Sequence, residues 1–456
     1  MAPRETIRGV AWPIIPGPAA ARAQALAWQL EQSQWWSPSR LAQHQDLQLG
    51  QLVRHAAATA PYYQARFAAA GLDAAALADA PTGASWARVP ISTRADLVAA
   101  GDHLLSQAYP AQHGAVHPVA TSRTTGAPVR LRATDLMGSF WDAVTLRDHA
   151  WHRRDLTAHL AAIRHVADGA APPDGDHGRG WGPATLALAP DARLSRLSIT
   201  ATIEEQVAWL VRTDPTYLLI YPSALDAVVR RLAATGRRLP SLAQVRTISE
   251  ALAPATRALV GDVLGVPLID TYSAQEVGYI ALQCPAQPRY HVVAERLRVE
   301  ILDEVGRPCP PGTTGRVVVT DLHNFATPVI RYDLGDYAEV GPPCPCGRGL
   351  PVLTRIVGRR RGLLTYPDGR RAWPVFTVAC RQAAPYAELQ LVQDTVDALR
   401  LRVVPADRPL TPSDRAALAA ALVAALGHRF GVTVDEVAEL DRSPTGKLEE
   451  FISRVA

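Results

Sequence analysis

The sequence predicts an α/β protein: a large N-terminal body with a parallel sheet and a small β-barrel subdomain, then a small α+β unit at the C-terminus. Three observations predict it. Strand-like runs at Thr185–Leu188, Tyr217–Ile220, Val245–Ile248 and Pro267–Asp270 alternate with helical stretches at Ile203–Arg212, Ser223–Thr235 and Pro254–Leu264. That alternation describes a parallel sheet, with ligands at the carboxyl ends of its strands. Beyond Val292 the period becomes two, in Leu297-Val299-Ile301, Gly315–Val319 and Pro328–Tyr332, with Pro/Gly turns between the runs. Nearer the C-terminus a strand pair, a capped helix and a further strand follow one another.

Length and composition fit this division. A chain of 456 residues is too long for a single core. Apolar residues at 48% and a net charge of +4 describe a soluble globular protein. Arginines are scattered, apart from Arg359-Arg360-Arg361, which argues against nucleic acid and membranes as partners. No apolar run is long enough to cross a bilayer. Between Met1 and Ala21, Pro13, Pro16 and Pro18 break the apolar patch and Glu5 sits in its charged head, so no secretory signal is expected. Five cysteines do not make a disulfide framework, and a cytoplasmic location is expected.

Residues 19 to 80 are rich in Ala, Leu and Gln, with Leu26, Leu30, Leu41, Leu47, Leu52, Val53 and Ala57 at helical spacing. Pro61 ends one of these helices. Pro90 to Leu97 reads as a turn capping another helix through Ser92 or Thr93. Val116, Val119 and Ala120 then lead into Thr121-Ser122-Arg123-Thr124-Thr125-Gly126-Ala127-Pro128, and Val129-Arg130-Leu131-Arg132 follows. The pattern is strand, hydroxyl-rich turn, strand. Its four hydroxyls, its glycine and its N–H groups can cradle a nucleotide's terminal phosphates, although no Walker loop is present. Alone, such a turn is an ordinary solvated one.

Asp135 to His149 reads as a helix carrying Phe140 and Trp141, and Asp168 to Pro183 as a surface loop. Two strand ends carry polar groups. Thr247-Ile248-Ser249-Glu250-Ala251 is expected to leave a strand and open a helix, and Asp270 to Gly278 to follow the next strand. In the latter, Tyr272 can stack on a base and Glu276 can hold a Mg²⁺ ion that bridges phosphates. Arg331 to Asp336 ends the β-rich part, and Asp336 can accept both hydroxyls of a ribose.

In the C-terminal unit, Glu388–Val392 and Ala398–Val404 pair as strands, and Thr411-Pro412-Ser413-Asp414 starts a helix over Ala416–His428. Gly431–Val434 is another strand, and Leu448–Val455 is expected to be a short helix. Between them stands Lys447, the only lysine of the chain. Where arginine serves everywhere else, a retained ammonium points to a role that a guanidinium fork cannot fill.

Taken together, Thr121–Pro128, Glu250, Tyr272–Gly278, Arg331–Asp336, Gly358-Arg359 and Thr445-Gly446-Lys447 stand in an order that resembles the adenylate-forming (ANL) superfamily. The resemblance is closest to its phenylacetate-CoA ligase/CapK-like branch and runs from about Pro90 onward. It implies an adenylation domain over residues 1–359 and a small mobile lid over 360–456. It also implies two half-reactions: a carboxylate attacks ATP to give an acyl-adenylate and pyrophosphate, then a thiol or amine displaces AMP.

By motif, the implied catalytic residues are Lys447, Glu276 (with Mg²⁺), Thr125 and Arg359. The implied nucleotide contacts are Thr121, Ser122, Arg123, Thr124, Thr125, Gly126, Ser249, Glu250, Ala251, Thr271, Tyr272, Ser273, Asp336, Arg359 and Lys447. Phe140, Trp141, Tyr221 and Gly278 are the candidate acyl pocket. Three positions depart from the family pattern: Arg123 replaces a glycine, Ala127 the loop lysine, and Arg361 the hinge aspartate.

Cys284, His291, Cys344 and Cys346 form Cys-x6-His and Cys-x-Cys. A Cys3His set is a closed structural zinc site with no open position for catalysis. The CapK-like branch carries these four positions in this order. Cys309 and Cys380 read as packing or surface residues.

Three functions follow. The first is ligation of an aromatic or other small carboxylic acid to CoA, a carrier protein or an amine. The second keeps the chemistry and changes the acid: activation of nitrite for diazotisation of an aryl amine, or adenylylation of a phenolic cofactor. The third is a non-catalytic nucleotide-binding homologue. A homodimer is compatible with each.

Overall fold

The computed structural model describes residues 15–120, 129–165, 175–359, 362–374, 376, 378–442 and 448–455. These residues divide into two compact units. One lies within Met1–Ala158, Arg179–Arg193 and Thr271–Ile356, the other within His159–Gly178, Leu194–Asp270 and Val357–Ala456.

The first unit opens on helices Pro18–Ser33, Pro38–Thr59 and Pro61–Ala69, each with proline in its first turn, where a missing N–H costs nothing. Pro61 therefore begins a helix directly after ending one. Thr93, not Ser92, caps helix Arg94–Ala100 through a reciprocal capping box with Asp96. Ser92 instead bridges to Tyr332 and accepts a hydrogen bond from the Tyr62 hydroxyl. Strands β1 (Val116–Ala120) and β2 (Arg130–Thr134) pair antiparallel with Ala120 opposite Arg130, the strand–turn–strand pattern expected. Helix Asp135–Trp151 follows as expected.

In the second unit, β3 (Leu160–Arg164), β4 (Asp176–Arg179), β5 (Arg193–Ser198), β6 (Tyr217–Ile220) and β7 (Gln244–Ile248) lie in the order β7-β6-β3-β5-β4. The pairs β3/β5, β3/β6 and β6/β7 are parallel. Helices Ile203–Thr213, Pro222–Thr235 and Pro254–Leu264 connect them, close to the predicted bounds. Leu197, Trp209, Ile220, Leu225 and Val245 fill the core between sheet and helices.

Two expectations fail here. Thr185–Leu188 is not a strand: Pro183 at the first turn starts the short helix Pro183–Leu186, and the Thr185 hydroxyl accepts from the Trp181 N–H. The strand of this region is β5, further along. Within the expected loop Asp168–Pro183, Asp176–Arg179 forms the edge strand β4.

β8 (Leu268–Ala274) carries the chain from the second unit into the first. There β9 (Gly278–Gln283), β10 (Tyr290–Val292), β11 (Leu297–Leu302), β12 (Thr314–Asp321), β13 (Val329–Val340) and β14 (Val352–Arg359) run in the order β11-β12-β13-β14-β10-β9-β8. The pairs β8/β9, β9/β10, β10/β14, β11/β12 and β12/β13 are antiparallel, as the period of two predicts. β8 and β13 are longer than expected, so Tyr272 and Asp336 lie inside strands rather than in turns after them.

The C-terminal residues have a core of their own, with Leu364, Tyr366, Leu391, Leu401, Leu418, Leu422 and Phe430 at its centre. A hairpin of β15 (Leu364–Thr365) and β16 (Arg371–Ala372) precedes a sheet of β17 (Tyr386–Gln393), β18 (Ala398–Pro405), β19 (Gly431–Glu436) and β20 (Phe451–Ser453), ordered β19-β18-β17-β20. Helix Pro412–Leu426 starts on the Thr411–Asp414 capping box, as its sequence predicts. The short helix expected over Leu448–Val455 is instead β20, parallel to β17. Pairing with β17 overrides local helix preference. No described helix is long and apolar enough to cross a membrane.

Candidate active site

Residues 121–128, 360–361 and 443–447 lie outside the described residues, so Thr121 to Gly126, Arg361 and Lys447 are not placed. In the first unit, the Tyr272 hydroxyl donates to Oδ2 of Asp336 at 2.8 Å. Two of the predicted nucleotide residues thus meet, the phenol fixing the carboxylate's orientation. Thr271 and Ser273 flank Tyr272 in β8, opposite Leu282 and Tyr279. Glu276, in the turn between β8 and β9, lies 3.5 Å from the Arg94 guanidinium, with its side chain only 12% exposed.

Arg331, the arginine of the Arg-Tyr-x-x-Gly-Asp stretch, does structural work. It is buried at φ 45° and pairs with Glu300, while its Nη1 donates to the carbonyls of Trp86, Ala87 and Val89. Five donors in one planar fork suit that load.

Phe140 and Trp141 lie on helix Asp135–Trp151, over the start of β9. The Trp141 ring stacks on Tyr279 with centroids 4.2 Å apart. Gly278 turns at φ 74°, where a Cβ would come within 2.4 Å of Arg296 Nη1. Arg296 pairs with the buried Asp321 at 2.8 Å. The loop after β12 is pinned to β2, because Asn324 donates to the Arg132 carbonyl and Thr327 accepts from the Arg132 N–H. This holds His323 with its ring 4.5 Å from Phe140. Burial pushes the Asp142 carboxyl, beside Trp141, up to about 6. Sequence reading missed Tyr279, Arg296 and His323; the only available signal was their nearness to motif residues.

The second unit gathers another group. Ser249 turns at φ 73° after β7, Glu250 accepts from the Ser223 N–H at 2.9 Å, and the buried Tyr221 hydroxyl accepts from the His165 N–H at 3.3 Å. Contrary to expectation, Thr247–Ala251 does not open the helix; that begins at Pro254. Ser249, Glu250 and Ala251 form an open loop, and Tyr221 caps the approach to helix Pro222–Thr235. Arg359, at the end of β14, accepts at its carbonyl from the Trp373 indole.

The four metal-type residues converge. The donor atoms of Cys284, His291, Cys344 and Cys346 all lie within 4.8 Å of one another. The Cys284 and Cys344 sulfurs are 3.9 Å apart, and Cys346 Sγ is 3.3 Å from His291 Nε2. Burial, helped by the charge of Arg348, lowers His291 to about 4 and keeps it neutral. Against its own burial, hydrogen bonds from Arg348 hold Cys346 below the usual thiol range. The knuckle is clamped from outside: Arg348 sits over the Trp35 and Trp151 rings, and a Cβ on Gly349 would strike the Trp36 carbonyl at 1.8 Å.

No protein-family model matches the chain. It is 26% identical over 430 residues to the phenylacetate-coenzyme A ligase of Aromatoleum evansii, covering 88% of this chain and 92% of that one. It is 24% identical over 384 residues to the phenylacetate-coenzyme A ligase of Thermus thermophilus, covering 79% and 80%. Among solved structures, 2-hydroxyisobutyryl-CoA ligase in its postadenylation state matches with a TM-score of 0.68 at 19% identity, over 96% of this chain and 90% of that one. The anthranilate CoA ligase AuaEII, in complex with anthranoyl-AMP, matches with 0.56 at 16% identity, over 73% and 64%. The structural likenesses show the fold. In sequence the chain resembles phenylacetate-coenzyme A ligases, and in fold it is similar to the adenylate-forming CoA ligases.

Proposed function

We propose that the protein adenylates a small aromatic carboxylic acid with ATP, releases pyrophosphate, and passes the acyl group to CoA, a carrier protein or an amine. The observation that carries this is the Tyr272–Asp336 hydrogen bond, which joins the residue suited to a base with the one suited to a ribose. Thr121 to Gly126 would wrap the phosphates, with Thr125 closest to the chemistry. In the first unit, Thr271 and Ser273 would stand beside the nucleotide with Tyr272; Ser249, Glu250 and Ala251 are the nucleotide candidates of the second. In the first unit, Phe140, Trp141 and Gly278 would line the acyl pocket.

Catalysis is positioning and charge stabilisation. Glu276 would hold Mg²⁺, whose charge offsets the phosphates; its Arg94 neighbour supplies a counter-charge now. Lys447 would neutralise charge developing on the adenylating oxygens.

Residues 360–456 would act as a lid hinged near Gly358-Arg359. Their separate core supports this, as does Gly358 at φ 129°. In the second unit, Arg231 pairs with Asp407 at 2.6 Å and Arg230 covers the Tyr386 ring, contacts that a swinging lid would exchange.

A structural Zn²⁺ suits the Cys3His group. Tetrahedral zinc with Zn–S bonds of about 2.3 Å separates its sulfurs by about 3.8 Å, and the Cys284–Cys344 spacing is 3.9 Å.

Arg123 and Ala127 favour keeping a second reading, in which the acid is nitrite and the acceptor an aryl amine, or AMP goes to a phenolic cofactor. Pyrophosphate release across acids, nitrite included, with CoA or amines separates the readings.

A further inference from the structure

Met137, Phe140 and Trp141 stand at i, i+3 and i+4 on helix Asp135–Trp151 and share one face. That face meets the Arg296 guanidinium, 3.7 Å from Met137 Sδ, and the His323 ring, 4.5 Å from Phe140. Gly278 lies between: a Cβ there would be 2.4 Å from Arg296 Nη1 and 3.4 Å from the Trp141 ring. The missing side chain is what leaves a guanidinium against the wall of the candidate acyl pocket.

Arg296 is 5% exposed, and its bond to Asp321 neutralises its charge. Its Nε–H has no hydrogen-bond partner among the described residues, nor has Nδ1 of His323, and both atoms are buried. Buried polar groups left unpaired are costly and uncommon in native proteins. A donor and a ring nitrogen left open beside a proposed substrate pocket are groups for a ligand to complete.

We propose that Arg296 and His323 read a hydroxyl group on the acid: the Arg296 Nε–H donates to the hydroxyl oxygen, and the hydroxyl proton is donated to His323 Nδ1. This deepens the ligase reading and rests on it. Because Asp321 already balances Arg296, the pair favours a neutral group over a second anion. A hydroxyl, acceptor and donor at once, satisfies both atoms; an aryl amine satisfies only the imidazole. Sites built to bond a hydroxyl discriminate strongly against analogues that lack it.

The test compares kcat/KM for matched acids, phenylacetate against its 3- and 4-hydroxy derivatives and benzoate against its hydroxy derivatives, by pyrophosphate release. Wild type should prefer one hydroxylated acid over its parent by tenfold or more. Arg296→Lys keeps a cation for Asp321 and loses the Nε–H, while His323→Phe keeps a ring against Phe140. Each should cut the hydroxy-to-parent ratio at least fivefold. Release without any hydroxyl preference, or variants that slow both acids equally, would overturn this inference and leave the ligase reading standing. No release with any acid would overturn both.

Discussion

The Tyr272 hydroxyl holds Asp336 at 2.8 Å, across 64 residues of sequence, so that β8 and β13 present one ring and one oriented carboxylate together. If ATP binds there, Asp336→Ala should raise the KM for ATP at least tenfold. Tyr272→Phe should raise it roughly fivefold, the weight of a hydrogen bond of about 1 kcal/mol. ATP titrations that leave both variants unchanged would move the nucleotide elsewhere.

Lys447 is the chain's single lysine. Lys447→Ala should slow adenylate formation by orders of magnitude, about 10²- to 10³-fold as for loss of one charge-stabilising donor, while a chemically prepared acyl-adenylate still transfers its acyl group. Equal loss in both half-reactions would contradict a role confined to the first.

The Cys284, His291, Cys344 and Cys346 group should carry one zinc per chain by elemental analysis. Cys344→Ser or chelation should remove it and lower the melting temperature by about 5 °C or more. A zinc-free preparation that melts normally would end the assignment.

Burial, with help from Arg296, drives the His323 ring down to about 3 from an ordinary 6.5. Between those values the unfolded chain binds the extra proton and the folded one does not. Stability therefore rises with pH across this window and is lost as pH falls through it, by at most about 1.4 kcal/mol per pH unit from this residue. Urea melts from pH 6.5 to 5, above most carboxylate titration, should show a shallower slope in His323→Phe. An unchanged slope would mean that His323 titrates alike in the folded and unfolded chain.

Local patterns were legible because their causes are local. The capping box at Thr411 marks a helix start, the helices from Ile203 to Leu264 follow their apolar period, and the cysteine spacing shows the knuckle. What was hidden depends on distant partners. Leu448–Val455 reads as helix until β17 stands beside Phe451. Arg331 resembles a site residue until its carbonyl partners at Trp86, Ala87 and Val89 are known. Arg296 and His323 carry no motif at all; helix Asp135–Trp151 and Gly278 bring them into view.

The most direct test of acid adenylation is ATP–pyrophosphate exchange with purified protein, Mg²⁺ and a panel of small aromatic acids. Acid-dependent exchange that needs no CoA, and that Lys447→Ala abolishes, is expected. No exchange with any acid would contradict it.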